Sequence, residues 1–308
     1  MENISVSGVL PVNKPSGMTS HDVVNIVRKL YGTKSVGHTG TLDPMATGLL
    51  NILIGRAVKA SEYLVCDSKK YRAVLRLGIT TDTEDITGRT LSTSDFIPDA
   101  REVEDICHRF TGKIMQTPPM YSALKVGGQK LCDLARRGES IERAAREIEI
   151  FSLSCKPTDT PADFTLEVHC SSGTYIRTLC ADIGKELGCG GVMAALERTE
   201  AGGFSLKQAH SPDELREMSA SELSSLLIPV EELFSSLSAV NLPVFYERLC
   251  RNGCEIYQKK IGTSFEPGTK VRLCNASGKF FALGEVRNFS AGSALKTLKF
   301  FDLESTAL

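Results

Sequence analysis

Apolar side chains first recur with helical spacing at Val23, Val27, Leu30 and Tyr31. Residues three and four apart share one helix face, so these positions predict a helix that Thr19 or Ser20 caps and Gly32 stops. The run Leu49-Leu-Asn-Ile-Leu-Ile54 is short, nearly all apolar and followed by Gly55, which reads as a buried strand. From Tyr71 the period drops to two. Tyr71, Ala73, Leu75, Leu77 and Ile79 alternate with Arg72, Val74 and Arg76, which predicts a strand with one apolar face. A further strand is expected over Phe164-Thr-Leu-Glu-Val-His-Cys170, ending at Ser171-Ser-Gly-Thr174. A helix should follow through Ile176, Leu179, Ile183 and Leu187. This order of elements predicts an α+β body.

Residues 205–239 combine acidic charge with the serine-rich stretch Ser219-Ala-Ser-Glu-Leu-Ser-Ser-Leu-Leu227, and Pro243 follows soon after. These features place a domain boundary near residue 240 and leave residues 1–239 as one body. Beyond it the strand-like runs Lys270-Val-Arg-Leu273 and Phe280-Phe-Ala-Leu283, broken by Gly268, Gly278 and Gly284, predict a small β-rich domain over residues 240–308.

The chain has 308 residues, 42% hydrophobic and 24% charged, proportions that suit a folded protein of more than one domain. No window holds the ~18 consecutive apolar residues of a membrane span. The N-terminus lacks a basic-then-apolar secretory signal, so a cytoplasmic location without membrane contact is expected. Ten cysteines without a C-x-x-C then read as reduced thiols. Cys250, Cys254 and Cys274 come nearest to ligand spacing, but too loosely for zinc, and no metal is expected.

A net charge of −1 and a pI near 6.5 seem to exclude a polyanionic partner. The average hides segregation, however. Segments 1–59, 111–146 and 240–308 are each net basic, whereas 91–110 and 147–239 are net acidic. Basic blocks that converge on one face would permit an RNA partner, although charge alone does not show one.

The segment richest in chemistry is Gly37-His-Thr-Gly-Thr-Leu-Asp-Pro-Met-Ala-Thr-Gly48. With Gly32 it spells G-x-x-x-x-G-H-T, one letter from a phosphate-binding loop. His38 stands where the phosphate-reaching lysine is required, and a helix rather than a strand precedes Gly32, so nucleotide hydrolysis is set aside. What remains is a glycine-rich loop that projects one carboxylate, Asp43, with Pro44 stiffening the backbone ahead of a buried strand. That carboxylate could act as a nucleophile or a general base, or the Asp-Pro pair could simply start a turn.

Several longer segments share a wording that is not generic. They are Gly8-Val-Leu-Pro-Val-Asn-Lys-Pro-Ser-Gly17-Met-Thr-Ser20, Val36 through Gly48, Lys70-Tyr71, Thr117-Pro-Pro-Met-Tyr-Ser-Ala-Leu-Lys-Val-Gly-Gly128, Leu134-Ala-Arg-Arg-Gly138 and Ser172-Gly-Thr-Tyr-Ile-Arg177. In these segments, in order over residues 8–205, the chain resembles the TruB family of tRNA pseudouridine synthases, which isomerise uridine 55 in the T arm of tRNA. The resemblance implies a mixed-sheet catalytic domain with an RNA-gripping insertion at about 111–146. Residues 240–308 more loosely resemble a PUA-type RNA-binding module.

By the same resemblance Asp43 is the catalytic aspartate, Tyr71 the ring that stacks on the target base, and Arg177 the arginine paired with the aspartate. His38 matches the histidine that fills the space left by the departing base. Lys14 and Asp85 match positions near the pocket, and Leu196 matches its wall. Lys125, Lys130, Arg136 and Arg137 form the basic cluster of the insertion. Cys132 departs from the family pattern, where many members carry an aromatic residue. The implied chemistry needs no cofactor. Asp43 would attack the ribose, attack the pyrimidine ring or remove a ribose proton, and the sequence does not choose among these. The segment Thr117–Gly138, absent from guide-RNA-dependent relatives, favours an enzyme that acts on tRNA without a guide RNA or an obligate protein partner. The main rival is a module that grips the T arm without chemistry.

Overall fold

The computed structural model describes residues 7–63, 68–122 and 124–302. In chain order it holds β1 (Gly8–Lys14), α1 (Ser20–Leu30), β2 (Val36–His38), β3 (Thr47–Ile54), β4 (Ser68–Leu77), β5 (Ile79–Thr81), β6 (Thr90–Thr93), α2 (Ala100–Arg109) and β7 (Gly112–Gln116). There follow β8 (Lys125–Val126), β9 (Gln129–Lys130), α3 (Leu131–Arg136), β10 (Arg146–Pro157), β11 (Asp163–Ser171), α4 (Ile176–Glu186), β12 (Gly191–Ala201), β13 (Phe204–Ser205), α5 (Pro212–Glu217) and α6 (Ala220–Ser225). The remaining elements are β14 (Ala239–Asn241), α7 (Val244–Arg251), β15 (Ile256–Tyr257), α8 (Gln258–Ile261), β16 (Lys270–Cys274), β17 (Phe280–Phe289) and β18 (Gly292–Phe300).

The principal sheet runs β1-β3-β12-β4-β11-β10-β7, with β2 added to β3 and β13 to β12. Its neighbours are antiparallel except β3 and β12, which run parallel and pair only at Thr47–Glu197 and Gly48–Arg198. That short joint is the hinge of the architecture. A Cβ on Gly48, whose φ is +98°, would lie 2.4 Å from the Arg198 carbonyl oxygen, so only glycine lets the two strands meet there. The expected mixed-sheet α+β body is what the chain forms.

Thr19, not Ser20, is the cap of α1. Its side chain accepts from the Asp22 N–H while the Asp22 carboxylate accepts from the Thr19 N–H. Val23, Val24 and Val27 face the core. Two expectations need correction. The strand through Tyr71 stops at Leu77, because Gly78 (φ +81°) turns the chain, and Ile79 begins a separate hairpin of β5 and β6. Gly284 is no break either. It lies inside β17, and a Cβ there would press on the Leu273 side chain at 2.9 Å.

The serine-rich stretch is also structured. Ser211 and Ser219 cap α5 and α6, Leu215 and Leu223 are buried, and the Tyr31 hydroxyl donates to the Leu223 carbonyl at 2.7 Å. The segment taken as an insertion begins on the sheet itself, since Gly112–Gln116 pairs with β10 as an outer strand. The part outside the principal sheet lies between Gln116 and Arg146 and contains the small β8–β9 hairpin and α3.

The C-terminal sheet runs β14-β16-β17-β18-β15 around its own core of Val240, Leu242, Val271, Leu273, Phe281 and Leu295. It starts at Ala239, one residue before the expected boundary. Ala60 and Phe234 of the body pack with Cys274, Phe280, Leu283 and Phe301, which joins the two units through apolar contact.

Helix α4 lies against β12 at a contact only glycines allow. A Cβ on Gly184 would stand 2.2 Å from the Gly191 nitrogen. Helix propensity alone favours Gly184→Ala by about 1 kcal/mol. The clash is with backbone and cannot be relieved by a side chain, so we expect net destabilisation of about 1–3 kcal/mol. Denaturant unfolding of the variant checks the sign, and a stabilised protein would refute the packing argument.

Candidate active site

The first turn of α4 carries Arg177, and its N-cap, Tyr175, has no side-chain cap of its own. Gln116, at the end of β7, holds the backbone of that N-cap residue instead. Its buried carboxamide accepts from the Tyr175 N–H at 2.8 Å and donates to the Tyr175 carbonyl at 3.0 Å. The turn is thereby fixed two residues from the guanidinium.

Arg177 is only 6% exposed and meets Asp43 as a fork, with Nε–Oδ2 at 3.0 Å and Nη2–Oδ1 at 3.3 Å. Its other donors go to the Thr83 carbonyl at 3.1 Å and the Tyr121 carbonyl at 2.7 Å. Asp85 Oδ2 stands 4.0 Å from Nη1. The Asp85 carboxylate is itself held by the Thr87 N–H at 3.0 Å and by the hydroxyls of Thr83 and Thr87 at 2.8 and 2.6 Å. Between them Glu84 adopts a φ of +62°, unusual for a residue with a Cβ, and its carboxylate accepts from the Thr178 hydroxyl. The turn at 83–87 is thus tied to the same helix that carries Arg177.

The loop bearing Asp43 has no regular structure between Thr39 and Ala46. Lys14 braces it from below. Its ammonium is fully buried and donates to the carbonyls of Pro15, Met18 and Pro44 at 2.9, 2.8 and 3.2 Å. Burial pulls the Lys14 pKa down to about 8.

Tyr71 lies opposite Arg198 in the β4–β12 register, and burial pushes its phenol pKa up. His38 ends β2, and its Nδ1 accepts from the Gly40 N–H at 3.2 Å. Burial first, and then the charge of Arg198, lower the His38 pKa, which favours the neutral ring that this acceptor role requires.

These groups border one cleft of about 1110 Å³, which Asp43, Tyr71, His38, Asp85, Arg177 and Leu196 line together. Arg136 and Cys132 from α3 reach the same cleft. Lys14 stands behind the loop rather than in the opening. Arg137 is outside, held by Glu139 at 2.7 Å and Gln129 at 3.1 Å. The side chains of Lys125 and Lys130 lie outside the described residues, although their backbones pair in the β8–β9 hairpin. The cysteines weighed for a metal are apart in role: Cys250 contacts the Thr297 hydroxyl, Cys254 is exposed, and Cys274 packs between the two units.

Gln116, Arg198 and the turn residues Thr83, Glu84 and Thr87 have no counterpart among the candidate residues named from the sequence. Gln116 was hidden because a buried amide looks like any polar residue at a strand end. Arg198 was hidden because β12 itself was not anticipated. Once that strand is known, the signal is a charged residue two positions after Leu196 and so on the same face.

Burial raises the Asp43 pKa above its ordinary 3.8, with Asp85 adding to the rise and Arg177 and Lys14 opposing it. The fork still orients both oxygens. The site offers an aimed carboxylate beside an aromatic ring in a cleft, an arrangement suited to nucleophilic or base chemistry on a flat, ring-bearing substrate.

Residues 28–176 match the model of the TruB family pseudouridylate synthase N-terminal domain, and residues 177–235 that of the tRNA pseudouridylate synthase B C-terminal domain. The two meet inside the first turn of α4, so the physical body continues across the division. A protein named tRNA pseudouridine synthase B from Alkaliphilus oremlandii is 43% identical over 92% of this chain and 94% of its own length. Another of that name from Geotalea uraniireducens is 48% identical over 68% of this chain and 67% of its own. Among solved structures, a chain of a Cbf5-Nop10-Gar1 complex superposes with a TM-score of 0.74 at 23% identity, covering 97% of this chain and 86% of that one, a likeness of fold. The fold is that of a pseudouridine synthase. The chain belongs to the TruB family.

A pH profile follows from the direction of the Asp43 shift. If the carboxylate acts ionised, activity is lost as pH falls through its folded-state pKa, so the acid limb of kcat/KM should have its midpoint above 3.8. Asp85→Asn removes a charge that raises this pKa and should move the midpoint down. A midpoint unmoved or raised in that variant would contradict the assignment.

Proposed function

We propose that this protein converts uridine 55 in the T arm of tRNA to pseudouridine, with Asp43 as the catalytic carboxylate and without a guide RNA. The observation that carries the reading is the Arg177 fork on Asp43 in a cleft shared with Tyr71 and Leu196. Relatives 38–48% identical named tRNA pseudouridine synthase B support the tRNA substrate. The segment between Gln116 and Arg146, with Arg136 at the cleft, supports action without a guide.

A uridine stacked in a folded arm hides its glycosidic bond, so it has to be flipped into the cleft. Tyr71 then stacks on the flipped base, Leu196 bounds it, and His38 fills the gap left in the stack. Asp43 acts by attack on the ribose, by attack on the ring or by taking a ribose proton. Whichever route operates, the bond from the ribose to N1 breaks, one to C5 forms, and the C5 proton is released while N1 gains one. The product is an isomer of the substrate, with no net oxidation. Residues 240–308, net basic and folded on their own core, serve as a second RNA contact.

Asp43→Asn keeps the size and turn propensity of the side chain but removes its charge. Isomerisation of tRNA, mapped at position 55, should disappear while tRNA affinity stays within about tenfold, roughly 1.4 kcal/mol. Binding by both proteins with turnover by neither would instead favour the RNA-gripping module without chemistry. Neutralising Lys125, Lys130, Arg136 and Arg137 together should weaken tRNA binding and flatten the dependence of log affinity on log salt. An unchanged slope would remove these residues from the RNA contact.

A further inference from the structure

Arg198 is 1% exposed, and among the described residues it has no carboxylate partner. A buried guanidinium is retained only where its donors are matched, and here carbonyls match them. Nε donates to the Leu49 carbonyl at 2.7 Å, Nη2 to Gly40 at 3.0 Å and Nη1 to Thr41 at 3.5 Å. Gly40 and Thr41 belong to the irregular loop that carries Asp43, and Leu49 to the strand that follows it.

The backbone of Arg198 occupies the parallel joint, paired with Gly48 on one side and Tyr71 on the other. Its positive charge also favours the ionised Tyr71 phenol, though burial prevails. One residue thus touches both the loop of the carboxylate and the strand of the aromatic ring.

We propose that Arg198 is a positioning residue that sets the separation of the Asp43 carboxylate from the Tyr71 ring, and so the width of the slot for the flipped base. The proposal rests on the roles given above to Asp43 and Tyr71. Arg177 aims the carboxylate from α4, whereas Arg198 places the loop backbone from β12. Being positive, it reaches the loop through carbonyls and leaves the Asp43 oxygens to Arg177.

The test is single-turnover conversion of a T-arm stem-loop at saturating enzyme, for wild type, Arg198→Met, Arg198→Lys and Asp43→Asn, with stem-loop affinity and thermal stability measured alongside. With folded enzyme still in excess over the stem-loop, a misfolded fraction leaves the saturated rate constant unchanged, whereas misplaced groups lower it. We expect Arg198→Met to lose about tenfold or more in rate constant, as a displacement approaching 1 Å produces, with affinity within about threefold. Arg198→Lys should recover part of the rate, because an ammonium can still satisfy some of the carbonyls. Should Arg198→Met not fold, Arg198→Lys decides alone by a reduced rate constant at full amplitude.

A cycle with Tyr71→Phe tests the second arm. If Arg198 acts partly through the phenol, Tyr71→Phe costs less in the Arg198→Lys background than in wild type, and independent factors would overturn that arm. Rate constants within twofold of wild type would overturn the positioning role. Turnover by Asp43→Asn would overturn the catalytic reading and this proposal with it. Inactive Asp43→Asn beside full-rate Arg198 variants would overturn this proposal alone.

Discussion

A guanidinium taken out of water must find acceptors for its N–H groups, and Arg177 finds them on three different stretches of chain. Asp43 comes from the loop before β3, the Thr83 carbonyl from the turn after β5, and the Tyr121 carbonyl from the segment after β7. None of these stretches is a helix or a strand, although the turn after β5 is also bridged to Met193 of β12 by backbone hydrogen bonds. Withdrawing one partner of a buried charge costs about 3–5 kcal/mol, comparable with the ordering of a few loop residues at about 1–2 kcal/mol each. The site is assembled around that requirement. Gln116, the glycine contact between α4 and β12, and the strained Glu84 all serve to keep the helix bearing Arg177 where its acceptors converge.

The loop that carries Asp43 is held by three cations that contact different parts of it. Arg177 takes the carboxylate, Lys14 the Pro44 carbonyl beyond it, and Arg198 the Gly40 and Thr41 carbonyls before it. The glycines at 37, 40 and 48 explain why so much bracing is needed. Gly48 meets the Arg198 backbone where a Cβ would stand 2.4 Å from its carbonyl oxygen, and all three leave the backbone with more freedom to lose. Carbonyl acceptors satisfy a buried cation's donors without cancelling its charge, so Lys14 still opposes the rise in the Asp43 pKa while it holds the loop.

Local signals in the sequence carried part of this. The cap at Thr19, the run at Leu49–Ile54 and the alternation at Tyr71 each depend on neighbours within a few residues, and each element formed close to where its pattern places it. The alternation overran Gly78 because apolar spacing continues across a turn that only backbone geometry reveals. The site was legible through wording shared with a family rather than through periodicity, since the cleft-lining residues come from segments far apart in the chain. Arg198 and Gln116 stayed hidden for a related reason. Their meaning lies in the carbonyl and amide groups they meet on distant segments of the chain, and every residue carries such groups alike.

One tension in the site concerns water. The Asp43 side chain keeps 34% exposure in the open cleft, yet burial already lifts its pKa. On the proposed reading a flipped base displaces the remaining water, and desolvation then favours the protonated acid more strongly just when an ionised carboxylate is needed. Solvent can no longer stabilise the charge, so the Arg177 fork has to, and the same loss of water strengthens its attraction as the local dielectric falls. A lysine at position 177 would supply the charge but not the two fixed N–H directions, leaving the carboxylate free to rotate away from the base. On the proposed reading, a planar, permanently charged partner fixed from behind by two carbonyls therefore both opposes protonation of Asp43 and aims it once the base has displaced the water.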